Sequence, residues 1–129
     1  MKLLIAALLA VFSTSVMAEW TRVGENAISV QYAYLSTIRK SGDKVKMWDL
    51  VDYKVVRIDK NDGMRNLSTK SQKEFDCKEE TWKFLVFNQY SQNMGAGEMV
   101  YMSRNQHEEP MPISPGSTLE ILFKVACGK

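Results

Sequence analysis

The sequence has few of the residues that metal and redox sites need: two cysteines, Cys77 and Cys127, and a single histidine, His107. Zinc generally takes four ligands from cysteine, histidine and carboxylates at short spacings. Neither a Cys-x-x-Cys pair nor the His-Glu-x-x-His spacing of zinc proteases occurs. The sequence therefore argues against a zinc site, and we expect no metal or other cofactor.

Catalytic motifs are equally scarce. The run His107-Glu108-Glu109 places a base beside carboxylates, but adjacent residues on a loop that leads into two prolines usually only face solvent. The run Gly95-Ala96-Gly97 lacks the third glycine, the following helix and the lysine of phosphate-binding loops. We therefore predict that the protein is not an enzyme.

Linkers and a strong charge excess are also absent. No stretch rich in proline, glycine or serine marks a domain boundary, and no internal repeat is present. The formal net charge is +2 over 129 residues, and a nearly neutral protein does not bind nucleic acid through bulk charge. The composition predicts one domain with no nucleic-acid partner.

The one long apolar run is at the start of the chain and has the pattern of a secretory signal. Lys2 supplies a basic start, residues 3–12 are apolar, and Val16 and Ala18 occupy the positions that a signal peptidase accepts. The run is shorter than the roughly 20 apolar residues of a membrane-spanning helix. We predict cleavage after Ala18, which leaves residues 19–129 as a single domain without a membrane span.

The cysteines bear on both localisation and stability. None lies near the predicted cleavage site, so the thiol that a bacterial lipoprotein signal requires is missing. We expect an exported, periplasmic or secreted product that is not lipid-anchored. Outside the cytosol, a disulfide between Cys77 and Cys127 is the default expectation. A catalytic thiol is the alternative that the sequence leaves open.

Strand patterns fill the first half of the predicted domain. Residues 20–23 and 28–35 are rich in β-branched and aromatic side chains, with a turn between them. Ser36 is then predicted to cap a single helical turn over residues 36–40. Residues 44–58 alternate with a period of two and carry apolar side chains on both faces, which predicts a central strand.

The second half repeats the strand pattern. A Lys-Asn-Asp-Gly turn at 60–63 leads to strands predicted over residues 67–77, 81–90 and 98–103. Strict alternation along 81–90 places Phe84 on one face and Phe87 on the other.

The tail changes to helical spacing. Residues 118–126 carry apolar side chains three and four positions apart, and Ser117 with Glu120 has the spacing of a capping box. Strands followed by a terminal helix indicate an α+β fold. The prediction is an antiparallel sheet of about five to six strands, with a C-terminal helix packed on it and one disulfide.

Four motifs of the second half stand in a fixed order along the chain. They are Glu74-Phe75-Asp76-Cys77 before an aromatic strand, Met94-Gly95-Ala96-Gly97-Glu98, Ile113-Ser114-Pro115-Gly116-Ser117 and Val125-Ala126-Cys127-Gly128-Lys129. Their order and spacing resemble those of the surface-adhesin protein E-like family of Gram-negative bacteria. The resemblance extends over nearly all of residues 19–129.

The resemblance implies a small sheet-and-helix domain, a bridge between Cys77 and Cys127, and no enzymatic activity. It also implies a non-enzymatic envelope protein that binds host matrix or serum proteins such as laminin, vitronectin and plasminogen. The family's characterised adhesin is a surface lipoprotein, whereas this chain lacks the acylated cysteine. No binding residue carries over from the family by motif.

Two sets of residues are candidates for binding on their own chemistry. Basic residues flank the predicted turn, where Arg57, Lys60 and Arg65 would dock a matrix protein or an anionic glycan, with Lys70 and Lys73 beside them. The alternative is an ordinary solvated face. Aromatic side chains exceed what one helix-covered sheet face needs, so some are expected to form an exposed interface unless loops cover them: Trp48, Trp82, Phe84, Phe87, Tyr90 and Tyr101.

Two other functions stay open at this stage. One is a periplasmic structural or housekeeping domain with no host partner, such as a homodimer joined through an exposed strand edge. The other is a small-ligand binder built on the sheet.

Overall fold

An antiparallel sheet dominates the chain, and its strands are ordered in space as they are in sequence. The computed structural model describes residues 19–104 and 108–129. The predicted signal segment, residues 1–18, and His107 lie outside the described residues. The described strands are β1 (Thr21–Glu25), β2 (Ser29–Ser41), β3 (Lys44–Ile58), β4 (Arg65–Asp76), β5 (Thr81–Tyr90), β6 (Met99–Arg104) and β7 (Met111–Pro112); a short 3-10 helix (Asn93–Gly95) follows β5, and the α-helix α1 (Thr118–Cys127) is the last element.

The sheet order is β1-β2-β3-β4-β5-β6, and the two-residue β7 also pairs with β5. The predicted antiparallel sheet with a C-terminal helix is therefore confirmed, with one short strand more than the upper estimate. β3 is central, as predicted from its two apolar faces. Within the described residues, β1 forms one edge of the sheet, and β6 with the short β7 forms the other.

The helical turn predicted over residues 36–40 is wrong, because β2 continues through it to Ser41. The register with β3 shifts between Tyr34 and Arg39. In this irregular stretch the Thr37 hydroxyl donates to the Tyr34 carbonyl at 2.6 Å and accepts the Trp48 N–H at 3.0 Å. The Thr37 hydroxyl thus accepts a backbone N–H of β3 that has no carbonyl partner in β2. The strand β2 therefore continues through this bulge as part of the sheet.

The main core lies between the sheet and α1. Alternation along β3 points Val45 and Met47 towards the helix, where they are fully or almost fully buried. Apolar residues from β2, β4 and the helix complete this core: Ala33, Phe75, Leu122, Phe123 and Ala126. The helix therefore covers one face of the β1–β4 half of the sheet.

The ends of α1 follow the predicted caps in part. Ser117 Oγ accepts the N–H of Glu120 at 3.2 Å. The Glu120 carboxylate does not complete the reciprocal capping-box bond and instead lies 3.6 Å from Lys124 Nζ. At the other end Gly128 closes the helix with φ of 69°, a left-handed conformation that favours glycine.

The expected disulfide joins Cys77 to Cys127, with an S–S distance of 2.05 Å. Cys77 directly follows β4, and Cys127 is the last residue of α1. The bridge therefore ties the end of β4 to the end of the α-helix that packs on the sheet.

Candidate functional site

Four aromatic side chains form a continuous row on the helix-side face of the sheet, beyond the strands that α1 covers. We call Trp82, Phe84, Phe87 and Tyr101 the aromatic strip. Successive ring centroids lie 4.8, 5.3 and 6.2 Å apart, each pair in an edge-to-face arrangement. Such pairs stabilise one another beyond the area that they bury, so the strip is a defined surface rather than a set of loose side chains.

A bulge in β5 creates the strip. Gln72 pairs with Val86 and Lys73 pairs with Phe84, which leaves Leu85 as an extra residue without a partner in β4. One extra residue inverts the alternation of a strand. The prediction that Phe84 and Phe87 point to opposite faces is therefore wrong.

The strip is partly open to solvent, chiefly at Tyr101. Tyr101 is 47% exposed, and the other three rings are half-buried. Tyr101 belongs to β6, whose outer edge pairs with no strand among the described residues. An edge strand presents free backbone N–H and C=O groups, and aromatic side chains are enriched at protein interfaces. The strip and the β6 edge together have the chemistry of a protein-binding surface.

A buried ion pair lies beside the strip on the same face. Lys73 Nζ donates to both carboxylate oxygens of Asp49 at 2.7 and 2.6 Å and to Ser71 Oγ at 2.7 Å. The same ammonium lies 5.0 Å from the centroid of the Phe84 ring. Burial raises the pKa of the Asp49 carboxyl, and the charge of Lys73 opposes that shift.

The prediction that Lys73 lies with the exposed basic residues beside the turn is wrong, because its side chain is only 7% exposed. The sequence motifs do not identify its partner, Asp49. The sequence does contain a signal for Asp49, because alternation along β3 places it on the same face as Val45 and Met47. A carboxylate on an otherwise apolar face indicates a buried cation across the sheet.

The three predicted binding residues, Arg57, Lys60 and Arg65, are exposed on the β3–β4 hairpin. The register pairs Arg57 with Asn66 and Ile58 with Arg65. Neighbouring residues of a strand point to opposite faces, so the two arginines lie on opposite sides of the hairpin. Lys60 lies in the turn. The structure does not bring all three onto one surface, and their role in binding stays a prediction.

Metal ligands do not cluster in the part of the chain that the structure describes, where no group of three His, Cys, Asp or Glu side chains could hold an ion. Neither is any helix of residues 19–104 and 108–129 long and apolar enough to cross a bilayer.

Solved structures share this architecture. The structure of Haemophilus influenzae protein E has a TM-score of 0.61 at 15% identity, covering 89% of this chain and 88% of that chain. Its crystal form II has a TM-score of 0.63 at 15% identity, covering 89% and 91% of the two chains. Protein E from non-typeable Haemophilus influenzae has a TM-score of 0.59 at 15% identity, covering 89% and 79%. At this identity the similarity shows a common fold.

No curated protein matches the chain significantly. A family model described as surface-adhesin protein E matches residues 20–128, which is nearly all of the described domain. The chain therefore belongs to the surface-adhesin protein E family.

Proposed function

We propose that the protein is a secreted, non-enzymatic envelope protein that acts by binding host extracellular-matrix or serum proteins. Laminin, vitronectin and plasminogen are the candidate partners that the family resemblance suggests. The observation that carries the proposal is the aromatic strip beside the outer edge of β6, which pairs with no strand among the described residues, in a domain of an adhesin family. Such a surface works by association and needs no reacting group.

The strip suits a partner that buries it. Interfaces owe most of their affinity to a few aromatic or arginine side chains at a desolvated centre. Phe87 is held between Phe84 and Tyr101, so its orientation is set before a partner arrives. Preorganised rings lose little conformational entropy on binding. We therefore expect Phe87 and Tyr101 to contribute most of the affinity.

The double substitution Phe87→Ala with Tyr101→Ser is expected to weaken binding to the recognised host protein at least about 30-fold, because hot-spot truncations cost about 2 kcal/mol or more. Surface plasmon resonance against immobilised laminin, vitronectin and plasminogen measures this. Ile28→Ser is the matched control, since Ile28 is also apolar and is 43% exposed in the turn between β1 and β2, at the opposite edge of the sheet from β6. Circular dichroism checks that each variant is folded.

The same assay tests the basic hairpin. Charge reversal at Arg57, Lys60 and Arg65 together probes the docking role predicted from the sequence. If the aromatic variant binds as tightly as the wild type while this variant loses binding, the interface is on the hairpin and not on the strip. If the wild type binds none of the three proteins, these partners are excluded.

The β6 edge, unpaired within residues 19–104 and 108–129, also favours a second candidate, a periplasmic structural domain that pairs edge to edge with a second copy. Sedimentation velocity separates the two functions. A dimer that forms without any host-protein binding, and that Tyr101→Ser weakens, would favour the structural role.

A further inference from the structure

A cleft opens on the opposite face of the sheet from α1 and the aromatic strip. It has a volume of about 230 Å³ and is lined by Glu19, Trp20, Tyr34, Thr37, Trp48 and Lys70. The rings of Trp20 and Tyr34 pack with centroids 5.2 Å apart at an angle of 53°. The cleft is smaller than the roughly 300 Å³ at which drug-sized pockets begin, so it admits one ring-sized group.

A lysine ammonium lies at the wall of this cleft. Lys70 Nζ is 5.8 Å from the centroid of the Trp20 ring and 5.3 Å from that of Tyr90. Among the described residues no carboxylate forms an ion pair with it. The side chain is half-buried, whereas Lys73, three residues further along β4, is paired with Asp49. Lys70 is therefore a partly desolvated cation that only aromatic rings compensate.

The loop after β5 fixes this cation in place. Asp52 accepts hydrogen bonds from Asn93 Nδ2 and the Met94 N–H, both at 2.9 Å, and Ser68 Oγ accepts from the Gly95 N–H at 2.8 Å. Gly95 lies directly against the Lys70 stem, because a Cβ atom at this position would clash with Lys70 Cε. The positive φ of 72° at Gly95 also favours glycine. The loop thus holds the lysine stem against the sheet.

We propose that this cleft binds an acidic sugar unit of a glycan, with the carboxylate at Lys70 and the ring packed against Tyr34 and Trp48. An anionic group would supply the charge partner that Lys70 lacks. The C–H face of a pyranose ring is apolar and matches an aromatic wall. Thr37 offers no free hydrogen, since its hydroxyl already donates to the Tyr34 carbonyl. Recognition therefore rests on stacking and charge.

A sugar fits these features better than an acidic peptide. An aspartate or glutamate side chain would use the cation but not the aromatic wall, which is the larger part of the lining. The cleft lies on the sheet face opposite the aromatic strip. The glycan proposal can therefore be wrong while the proposed protein-binding function is right, and the protein-binding proposal can be wrong while the glycan proposal is right.

The test uses a hyaluronan tetrasaccharide, which contains glucuronate, and chitotetraose, which is its neutral counterpart. Two of the three tryptophans lie in the cleft, so ligand binding is followed by tryptophan fluorescence and isothermal titration calorimetry. We expect the wild type to bind the acidic sugar at least about tenfold more tightly than the neutral one. Lys70→Met is expected to lose affinity for hyaluronan by about 10- to 100-fold, the range for a charged hydrogen bond.

Lys78→Met is the matched control, because Lys78 is an exposed lysine in the turn between β4 and β5 and should leave binding unchanged. Glu19→Ala is expected to raise the affinity about two- to threefold, since it removes a carboxylate from the rim. Thermal unfolding shows whether Lys70→Met is still folded. Trp48→Leu is a second variant, which removes an aromatic ring from the cleft and keeps the Lys70 ammonium. Equal binding of both sugars, unchanged hyaluronan binding by Lys70→Met, or equal competition by a poly-glutamate peptide would each overturn the proposal.

Discussion

Replacing both Cys77 and Cys127 by serine is expected to lower the free energy of unfolding by about 4 kcal/mol. The bridge closes a loop between residues 50 positions apart, and such a cross-link removes conformational entropy from the unfolded chain. The loss is large against the roughly 5–15 kcal/mol that stabilises an ordinary domain. Urea denaturation of the variant and the oxidised wild type measures the difference.

We also expect the serine variant to lose stability mainly in α1. α1 supplies Leu122, Phe123 and Ala126 to the core, and the bridge anchors its last residue to the end of β4. Amide exchange in α1 should therefore increase more than exchange in β3. The reduced wild type is the matched control and should behave like the serine variant. A loss below about 1 kcal/mol, or equal increases of exchange in α1 and β3, would contradict this account.

Replacing Asp49 alone by alanine is expected to destabilise the protein by about 3–5 kcal/mol, because it leaves the Lys73 ammonium buried without a counter-charge. Both side chains are almost fully buried, at 0% and 7% exposure. The double substitution Asp49→Leu with Lys73→Met removes both charges while it fills the same space. We expect it to be within about 1 kcal/mol of the wild type, or more stable, since buried pairs seldom recover their cost of desolvation.

The pH dependence of stability provides an independent check on this pair. Burial raises the pKa of Asp49 in the folded protein. A raised pKa means that this group's contribution to stability is fully present below its unfolded pKa of about 3.9 and is lost as the pH rises through the higher folded pKa. The stability of the double variant relative to the wild type should therefore increase as the pH rises above about 4. A relative stability that falls over this range would contradict the raised pKa.

Much of the sheet could be predicted because its central strands have strong patterns. The predicted bounds of β3 and β5 are those observed, and α1 differs by one residue at its end. β4 was also found despite its polar sequence, since its alternation is regular. The helical turn at residues 36–40 failed because Ser36 is a good cap in isolation, whereas pairing with β3 outweighs a local preference.

The candidate site was less predictable for a physical reason. The surplus of aromatic residues was visible in the sequence, but their common surface depends on the unpaired Leu85 in β5. A bulge is decided by the pairing of two strands, and neither strand's own pattern contains it. The same holds for the cleft, where Trp20, Trp48 and Lys70 come from different elements and meet only in the folded sheet.

Protease treatment of intact cells, compared with release by osmotic shock, tests most directly whether the protein faces the host. We expect the protein to be cleaved on intact cells or recovered from the culture medium, because an adhesin-like surface must reach its partner. Recovery from the osmotic-shock fraction alone, with full protection from external protease, would contradict the adhesin function and favour the periplasmic structural domain.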